Sequence, residues 1–339
     1  MLDALRRLNS LPGRSMVLFV ADAGGRITGS VTDGDIRRAL IAGVSLDSPV
    51  GLAAHGGFRF LREGEIDVRS LREYRNSGIT LLPVLDRDNR LVELIDLSSC
   101  RSRLPLGAIL MAGGKGERLR PATLTTPKPL LTIEGKAIID YNIEALASCG
   151  IKDITVSTGY LADRMAEHFA RPVAGVQVRL VREDFPMGTI GAVSLAGIPE
   201  NGNTLVMNSD LITTISFEDM YLCHISADAD ITIATVPYQV SVPYAILSFE
   251  GERVSGIEEK PAYSYYANAG IYIISNKLLR KVSPDRRTDA TELIERSIAE
   301  GARVVHYPIK GTWIDVGSPV DFRQASELMR HHNAMTSGI

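Results

Sequence analysis

The sequence predicts an α/β protein with a doubly wound, mostly parallel sheet, preceded by a small α+β domain. Three observations carry this. From residue 107 onward, short apolar runs alternate with segments of helical spacing, the pattern of strands joined by crossover helices. The first of those runs, residues 108–111, breaks into three glycines, Gly113, Gly114 and Gly116, as a buried parallel strand does where it opens into a ligand-binding turn. The first hundred residues instead hold a faint duplication.

Residues 17–22 and 26–31 read as strand, turn, strand, and residues 80–86 and 90–95 repeat them. Asp22 aligns with Asp86, and Arg26 with Arg90 at the same offset. Helical spacing precedes each hairpin (Leu5 and Leu8; Leu71 and Tyr74), so a helix–strand–strand–helix unit is expected twice. The polar, proline-ended stretch 98–105 marks the boundary. The expected organisation is a first domain over 1–98, a linker over 99–106 and a second domain over 107–335. In the second domain, residues 130–133 lead into a helix over about 137–149. A strand at 154–157 precedes a helix over 161–169, and further strands are expected at 176–182, 204–208 and 231–236. Segments 245–249, 269–274 and 303–308 predict a separate, smaller mixed sheet, and 322–332 a closing helix.

At 339 residues there is room for two domains, and a net charge of −3 gives no argument for nucleic acid or an anionic membrane. The three cysteines are widely spaced without a CxxC, which reads as free thiols in a reducing cytoplasm. Cys223-His224 has no second pair at metal-binding spacing. No apolar stretch approaches the ~20 residues that cross a bilayer. The N-terminus begins as a charged amphipathic helix without a signal-peptide core.

The chemistry concentrates after residue 107. Glycines remove the Cβ atoms that hold a ligand off the backbone, so exposed N–H groups can line a polyphosphate. Lys115, Arg118, Arg120 and Lys128 follow, and Pro127 and Pro129 hold Lys128 on a stiff segment. The loop is neither a Walker loop, lacking Ser/Thr after the lysine, nor a dinucleotide fingerprint, lacking its third glycine. Asp210 ends the apolar run 205–207 and so faces the ligand crevice, where a carboxylate suits Mg2+. Glu183 can only accept hydrogen bonds; guanine offers two adjacent donors and adenine's Watson–Crick edge one, which favours GTP. UTP or dTTP is the alternative, because uracil and thymine also present one N–H donor.

The run Gly113-Gly114-x-Gly116-x-Arg118-Leu119-x-Pro121, followed by Pro127-Lys128-Pro129, resembles the hallmark of the sugar-1-phosphate nucleotidyltransferases. Later matches extend the resemblance over about residues 107–325, and imply a Rossmann-like sheet of the glycosyltransferase-A-like type. Asp210 corresponds to the family's metal-binding acid, with Ser209 where glycine is usual. Trp313-Ile314-Asp315-Val316-Gly317-Ser318-Pro319 matches the late motif whose aspartate is the second Mg2+ ligand. The resemblance implies that Ala112, Gly113, Gly114, Gly116 and Arg118 hold the nucleotide phosphates and that Lys128 bridges the reacting ones. Glu183, Gly188 and Thr189 match the base-binding segment. Glu259 and Lys260, in a Glu-Lys-Pro element, would bind sugar hydroxyls and sugar phosphate, with Asn268 and Gly270 beside them. The implied reaction joins an NTP to a sugar 1-phosphate without a covalent intermediate, and none of the six histidines is required.

The order of domains resembles bacterial enzymes of surface-sugar biosynthesis that join a CBS-domain pair to a guanylyltransferase-like domain. Such pairs often bind adenine nucleotides. Thr32 and Asp35 match the motif that grips ribose, although Thr-x-x-Asp equally makes a helix-capping box. The chain starts inside the first motif's helix, so a leading segment is expected to be missing. A homo-oligomer is implied. The competing functional reading is an inactive sugar-nucleotide-sensing subunit, against which stand Arg118, Lys128, Asp210 and Asp315, all present.

Overall fold

The N-terminal unit, Met1–Arg103, is built twice on one plan. The computed structural model describes residues 1–11, 16–65 and 67–336. The first half comprises α1 (Leu2–Ser10), β1 (Val17–Ala21), β2 (Ile27–Thr32) and α2 (Asp33–Ile41). The second comprises β3 (Leu61–Arg62), α3 (Val68–Asn76), β4 (Leu81–Leu85) and β5 (Leu91–Asp96). Asp22 closes the β1–β2 turn by accepting the N–H groups of Gly24 and Arg26 at 2.8 and 2.9 Å. Asp86 closes the β4–β5 turn in the same way, from Asp88 and Arg90 at 2.9 and 2.8 Å. These short-range side-chain bonds are what the aligned aspartates encode.

Each half buries its own core, Leu8, Val31 and Ile36 in one and Leu71, Leu82 and Ile95 in the other. They meet where Arg26 bridges Arg90 and the Ile27 N–H reaches the Asn89 carbonyl at 2.8 Å. The doubling is incomplete. After β5 the chain turns instead of forming a second α2, because Asp96 takes both the N–H and the hydroxyl of Ser98 at 2.9 and 2.6 Å.

The second unit begins at Leu104. It runs β6 (Leu106–Ala112), β7 (Thr132–Ile133), β8 (Lys136–Ala137), α4 (Ile138–Ser148), β9 (Ile154–Thr158), α5 (Ala162–His168), β10 (Arg179–Arg182), β11 (Asn203–Asn208) and β12 (Leu211–Thr213). There follow α6 (Phe217–Ser226), β13 (Ile231–Ser241), β14 (Ile246–Glu250), β15 (Arg253–Glu258), β16 (Ala262–Ser275), α7 (Asn276–Leu279), α8 (Ala290–Ala299), β17 (Val304–Pro308), β18 (Trp313–Asp315) and α9 (Pro319–Thr336). Seven strands form the central sheet in the order β10-β9-β6-β11-β16-β13-β17. All neighbours are parallel except where β16 runs antiparallel to β11 and β13.

Strand β9 is buried along its whole length, as expected for a strand covered on both faces. Ile109, Val206 and Ile274 pack from the sheet against Leu279, Leu293 and Ile294. A second core joins Ile138 of α4 to Ile212, Ile314 and Ala325. Burying each of these aliphatic side chains contributes about 1.5–3 kcal/mol. Among the described residues no helix is long and apolar enough to cross a membrane.

One expectation is corrected. Segments 269–274 and 303–308 belong to the central sheet, in β16 and β17, rather than to a separate sheet. Only 245–249 lies apart, in the β14–β15 hairpin. The apolar residues of β16 at 269–274 are wholly buried because β11 and β13 flank them on both sides. Strands β13 and β16 also run further than their apolar parts. β17 accompanies β13 only as far as Thr235. Beyond that the two strands form a two-stranded arm, interrupted near Pro243 and Pro261 and resumed as β14–β15.

Candidate active site

The carboxyl ends of the parallel strands open onto a cleft of about 820 Å³. Its floor is the glycine loop after β6, and close approach of backbone explains the glycines. Gly113 passes directly over the Glu183 carboxylate, where any Cβ would overlap it. Below it the chain turns at Gly159, whose own Cβ would come 3.0 Å from the Gly113 carbonyl. The Tyr160 N–H donates to that carbonyl at 3.3 Å. Gly116 adopts φ 61°, and the Thr123 hydroxyl donates to its carbonyl at 2.9 Å.

Asp210 and Asp315 are brought together by the short antiparallel pair β12–β18, which sets Leu211 opposite Asp315. The Val316 N–H donates to the Asp210 carbonyl at 3.1 Å. From α4, the Asn142 amide donates to the Leu211 carbonyl at 3.0 Å. The Ser209 hydroxyl donates to the Met111 carbonyl at 2.7 Å, tying the end of β11 to the end of β6. Serine in place of the usual glycine therefore acts as a staple.

Lys128 lies between the two acids. Its ammonium contacts Asp210 Oδ2 and reaches Asp315 Oδ1 at 3.4 Å, with its side chain only 11 % exposed. Burial, and then the charge of Asp210, push the Asp315 carboxyl above the usual carboxylate range, against the pull of Lys128 and Arg118. Arg118 fits because Gly317 has no side chain; a Cβ there would come 3.0 Å from its guanidinium. Asp210 Oδ1 is buried without a hydrogen-bond partner. Buried carboxylate oxygens are otherwise partnered, so this atom is available to a cation. Among the described residues no cluster of three or more metal-ligating side chains occurs. Two carboxylates suit a hard divalent ion that completes its shell with water and phosphate oxygens.

On the opposite wall, Glu183 accepts the Met187 N–H at 3.3 Å. Burial raises its carboxyl, and the Met187 N–H and the Ser157 hydroxyl partly offset that. Gly188 has φ 86°, and a Cβ would stand 2.5 Å from the Thr288 carbonyl, so only glycine fits. Thr189 and α8 hold each other: the Thr189 N–H donates to Asp289 at 3.0 Å, and its hydroxyl accepts the Ala290 N–H at 2.8 Å.

Of the residues singled out in the sequence, Ala112, Gly113, Gly114, Gly116, Arg118, Lys128, Glu183, Gly188, Thr189 and Asp210 line this cleft, and Asp315 adjoins it through Lys128. Glu259, Lys260, Asn268 and Gly270 do not line it. Glu259 and Lys260 sit where the arm breaks, Lys260 with φ 45°. Asn268 accepts the Gly270 N–H at 3.0 Å and donates to the Tyr272 hydroxyl at 2.9 Å. Gly270 backs the cleft indirectly, since a Cβ there would come 2.5 Å from the amide nitrogen of Asn208, which lines it. Sequence reasoning missed Gly159, Asn208, Arg287 and Asp289. Gly159 repeats the signal of Gly113, a glycine just past a buried strand. Asp289 takes an N–H from a residue a hundred positions away, which no local pattern records.

Comparison with known proteins agrees with this geometry. Residues 107–332 match the nucleotidyl transferase family. The chain is 32 % identical over 224 residues to the mannose-1-phosphate guanylyltransferase catalytic subunit beta of Danio rerio, covering 63 % of this chain and 62 % of that protein. It is 31 % identical over 225 residues to the mannose-1-phosphate guanyltransferase of Schizosaccharomyces pombe, with the same coverage. The chain thus spans 62 % of the length of these relatives. Among solved structures, HddC from Yersinia pseudotuberculosis superposes with a TM-score of 0.51 at 26 % identity, over 66 % of this chain and 99 % of HddC. HddC complexed with GMP-PN gives 0.50 at 25 % with the same coverage. The matched span begins within β6, just ahead of the glycine loop, and ends within α9, past Asp315, taking in the whole cleft. On that footing the chain belongs to the nucleotidyl transferase family.

Proposed function

We propose that the chain transfers GMP from GTP to a sugar 1-phosphate, giving a GDP-sugar and pyrophosphate. The observation that carries this is Lys128 held between Asp210 and Asp315, beneath a glycine loop at the strand ends. The sugar-phosphate oxygen attacks the α-phosphorus in line, the bond to the bridging oxygen breaks, and pyrophosphate leaves with those electrons. The nucleophile is largely ionised already, the second phosphate pKa being ~6, so no general base is needed. Catalysis is then orientation plus neutralisation of developing charge. The loop N–H groups and Arg118 hold the β- and γ-phosphates, and Lys128 passes from the acids to the reacting phosphates. Mg2+, when bound on Asp210 and Asp315, would supply positive charge to the phosphate oxygens. The named relatives make mannose 1-phosphate the first acceptor to try. Pyrophosphate release over a panel of NTPs and sugar 1-phosphates tests the reading, and no release with any pair would refute it.

The preference for GTP rests on Glu183. A hydrogen bond to a charged acceptor is worth about 1.5–3 kcal/mol, so Glu183→Gln is expected to lower the GTP-over-UTP ratio of kcat/KM by about tenfold or more. The amide oxygen still serves the Met187 N–H, so the loop should persist. An unchanged ratio would assign base reading to the backbone around Gly188.

The front unit is proposed to be a CBS pair that regulates transfer by binding an adenine nucleotide, in a cytoplasmic enzyme whose three cysteines are free. Thr32 and Asp35 here cap α2 reciprocally: Asp35 takes the Thr32 N–H at 2.8 Å and Thr32 takes the Asp35 N–H at 3.3 Å. The Thr32 hydroxyl also donates to Asp35 at 2.6 Å. A nucleotide ribose would have to displace that last bond. Calorimetric titration of the protein with AMP, ATP and GTP, repeated on Thr32→Val, is expected to show binding that the substitution removes. Absence of heat with all three leaves the pair as a cap alone.

A further inference from the structure

Strand β16 bends where it passes the cleft. The register sets Ile233 opposite Tyr272 and Thr235 opposite Asn268, so β13 supplies only Ala234 where β16 supplies Ala269, Gly270 and Ile271. A bulge of this kind re-aims the side chains beside it and is frequent next to active sites. Gly270 takes φ 70° at its centre. The Asn268 side chain fixes the bend at both ends, accepting the Gly270 N–H at 3.0 Å and donating to the Tyr272 hydroxyl at 2.9 Å. From β18, the strand that carries Asp315, the Trp313 indole donates to the Ala269 carbonyl at 2.9 Å.

The bend makes room for the side chain of Asn208. A Cβ on residue 270 would come 2.5 Å from the amide nitrogen of Asn208 and 3.0 Å from its amide carbon. The amide therefore lies against Gly270, on the β16 side of β11. Its backbone is held from the other side, where Asn208 pairs with Met111 and the Ser209 N–H donates to the Met111 carbonyl at 3.2 Å. Asn208 lines the cleft, and among the described residues its amide has no hydrogen-bond partner. A fixed amide open to a cleft is the kind of polar group that orients a ligand there.

We propose that Asn208 hydrogen-bonds the sugar hydroxyls of the acceptor, and that Gly270 serves the acceptor by making room for that amide. This rests on the transferase reading. Two observations choose the acceptor over the nucleotide. The glycine loop follows β6 and Glu183 follows β10, both on one side of β11, whereas the Asn208 amide leans to the other. The second is chemical. An amide carries donor and acceptor in one plane, which matches neighbouring hydroxyls of a sugar, and it brings no charge to a phosphate. Asn268 and Gly270 then act as positioning residues, through the bend.

Steady-state kinetics with GTP and mannose 1-phosphate, or the best acceptor of the panel, give the test. Asn208→Ala is expected to raise the KM for the acceptor about tenfold, as loss of two neutral hydrogen bonds would, and to change the KM for GTP less than about twofold. A residue that only held the fold would move both KM values together with the melting temperature. With monodeoxy analogues of the acceptor, the gap between wild type and variant should shrink wherever a contacted hydroxyl is missing. A gap that is the same for every analogue overturns the proposal. Gly270→Ala should raise the same KM in the wild-type background and add little to Asn208→Ala, which has no amide left to displace. Additive effects would overturn the role given to Gly270. An unchanged acceptor KM in Asn208→Ala overturns this inference and leaves the transferase reading standing. Pyrophosphate release by the wild type with no pair of substrates refutes both.

Discussion

Pyrophosphate release by the Asp210→Asn protein is expected to fall at least about a thousandfold, equivalent to roughly 4 kcal/mol of transition-state stabilisation. The protein itself should remain folded. Asparagine keeps the shape of the side chain but removes its charge, and it replaces an oxygen with an amide nitrogen that cannot take a cation. The fold tolerates this for two reasons. The backbone of residue 210 is held independently by the Val316 N–H, and its neighbours Ser209 and Leu211 by Asn142. Lys128 also keeps Asp315 as a partner. A stability loss of about 1 kcal/mol would move the melting temperature by only about 2–4 °C in a domain of this size. Steady-state kinetics with a melting curve check both halves of the expectation. Turnover near wild type would remove Asp210 from the reaction.

The second large effect is that of Lys128→Ala. Loss of one preorganised charge at a transferring phosphoryl group costs about 10²–10³ in rate, or about 2.7–4 kcal/mol. The same change has a signature without any substrate. Lys128 is the cation that contacts both Asp210 and Asp315. Its removal leaves two carboxylates facing each other at a half-buried site, where like charges raise the free energy of the fold. The metal-free variant is therefore expected to melt below wild type, and added Mg2+ to raise its melting temperature by more than it raises that of wild type. If Mg2+ shifts both proteins equally, the two acids do not form a cation site.

How far this was legible in the sequence depends on the range of the interaction. The glycine loop after β6, the lysine between prolines and the acid ending β11 were readable because local chemistry dictates each. A buried strand must end, a phosphate must approach backbone, and a carboxylate at a strand end faces the crevice. The turns at Asp22 and Asp86 were readable for the same reason, their bonds spanning two to four residues. The place of β16 was not readable. Its apolar half looks the same in isolation whether it lies at the centre of a large sheet or at the edge of a small one, and only β11 and β13 decide between them. The meeting of Asp210 with Asp315 came from motif resemblance alone, since the β12–β18 pairing that produces it joins two strands of three residues each.

The reciprocal hydrogen bonds between Thr189 and the start of α8 have a consequence for how a nucleotide enters. Swinging the segment 184–190 outward would break the Thr189–Asp289 bond and simultaneously uncap Ala290. At about 1 kcal/mol each, the two bonds together hold an outward state to only a few per cent of molecules. The wall of the cleft at Gly188 and Thr189 is thus set before any ligand arrives, and little ordering entropy is left for binding to overcome. The preference proposed for Glu183 then needs no closure that the right base triggers.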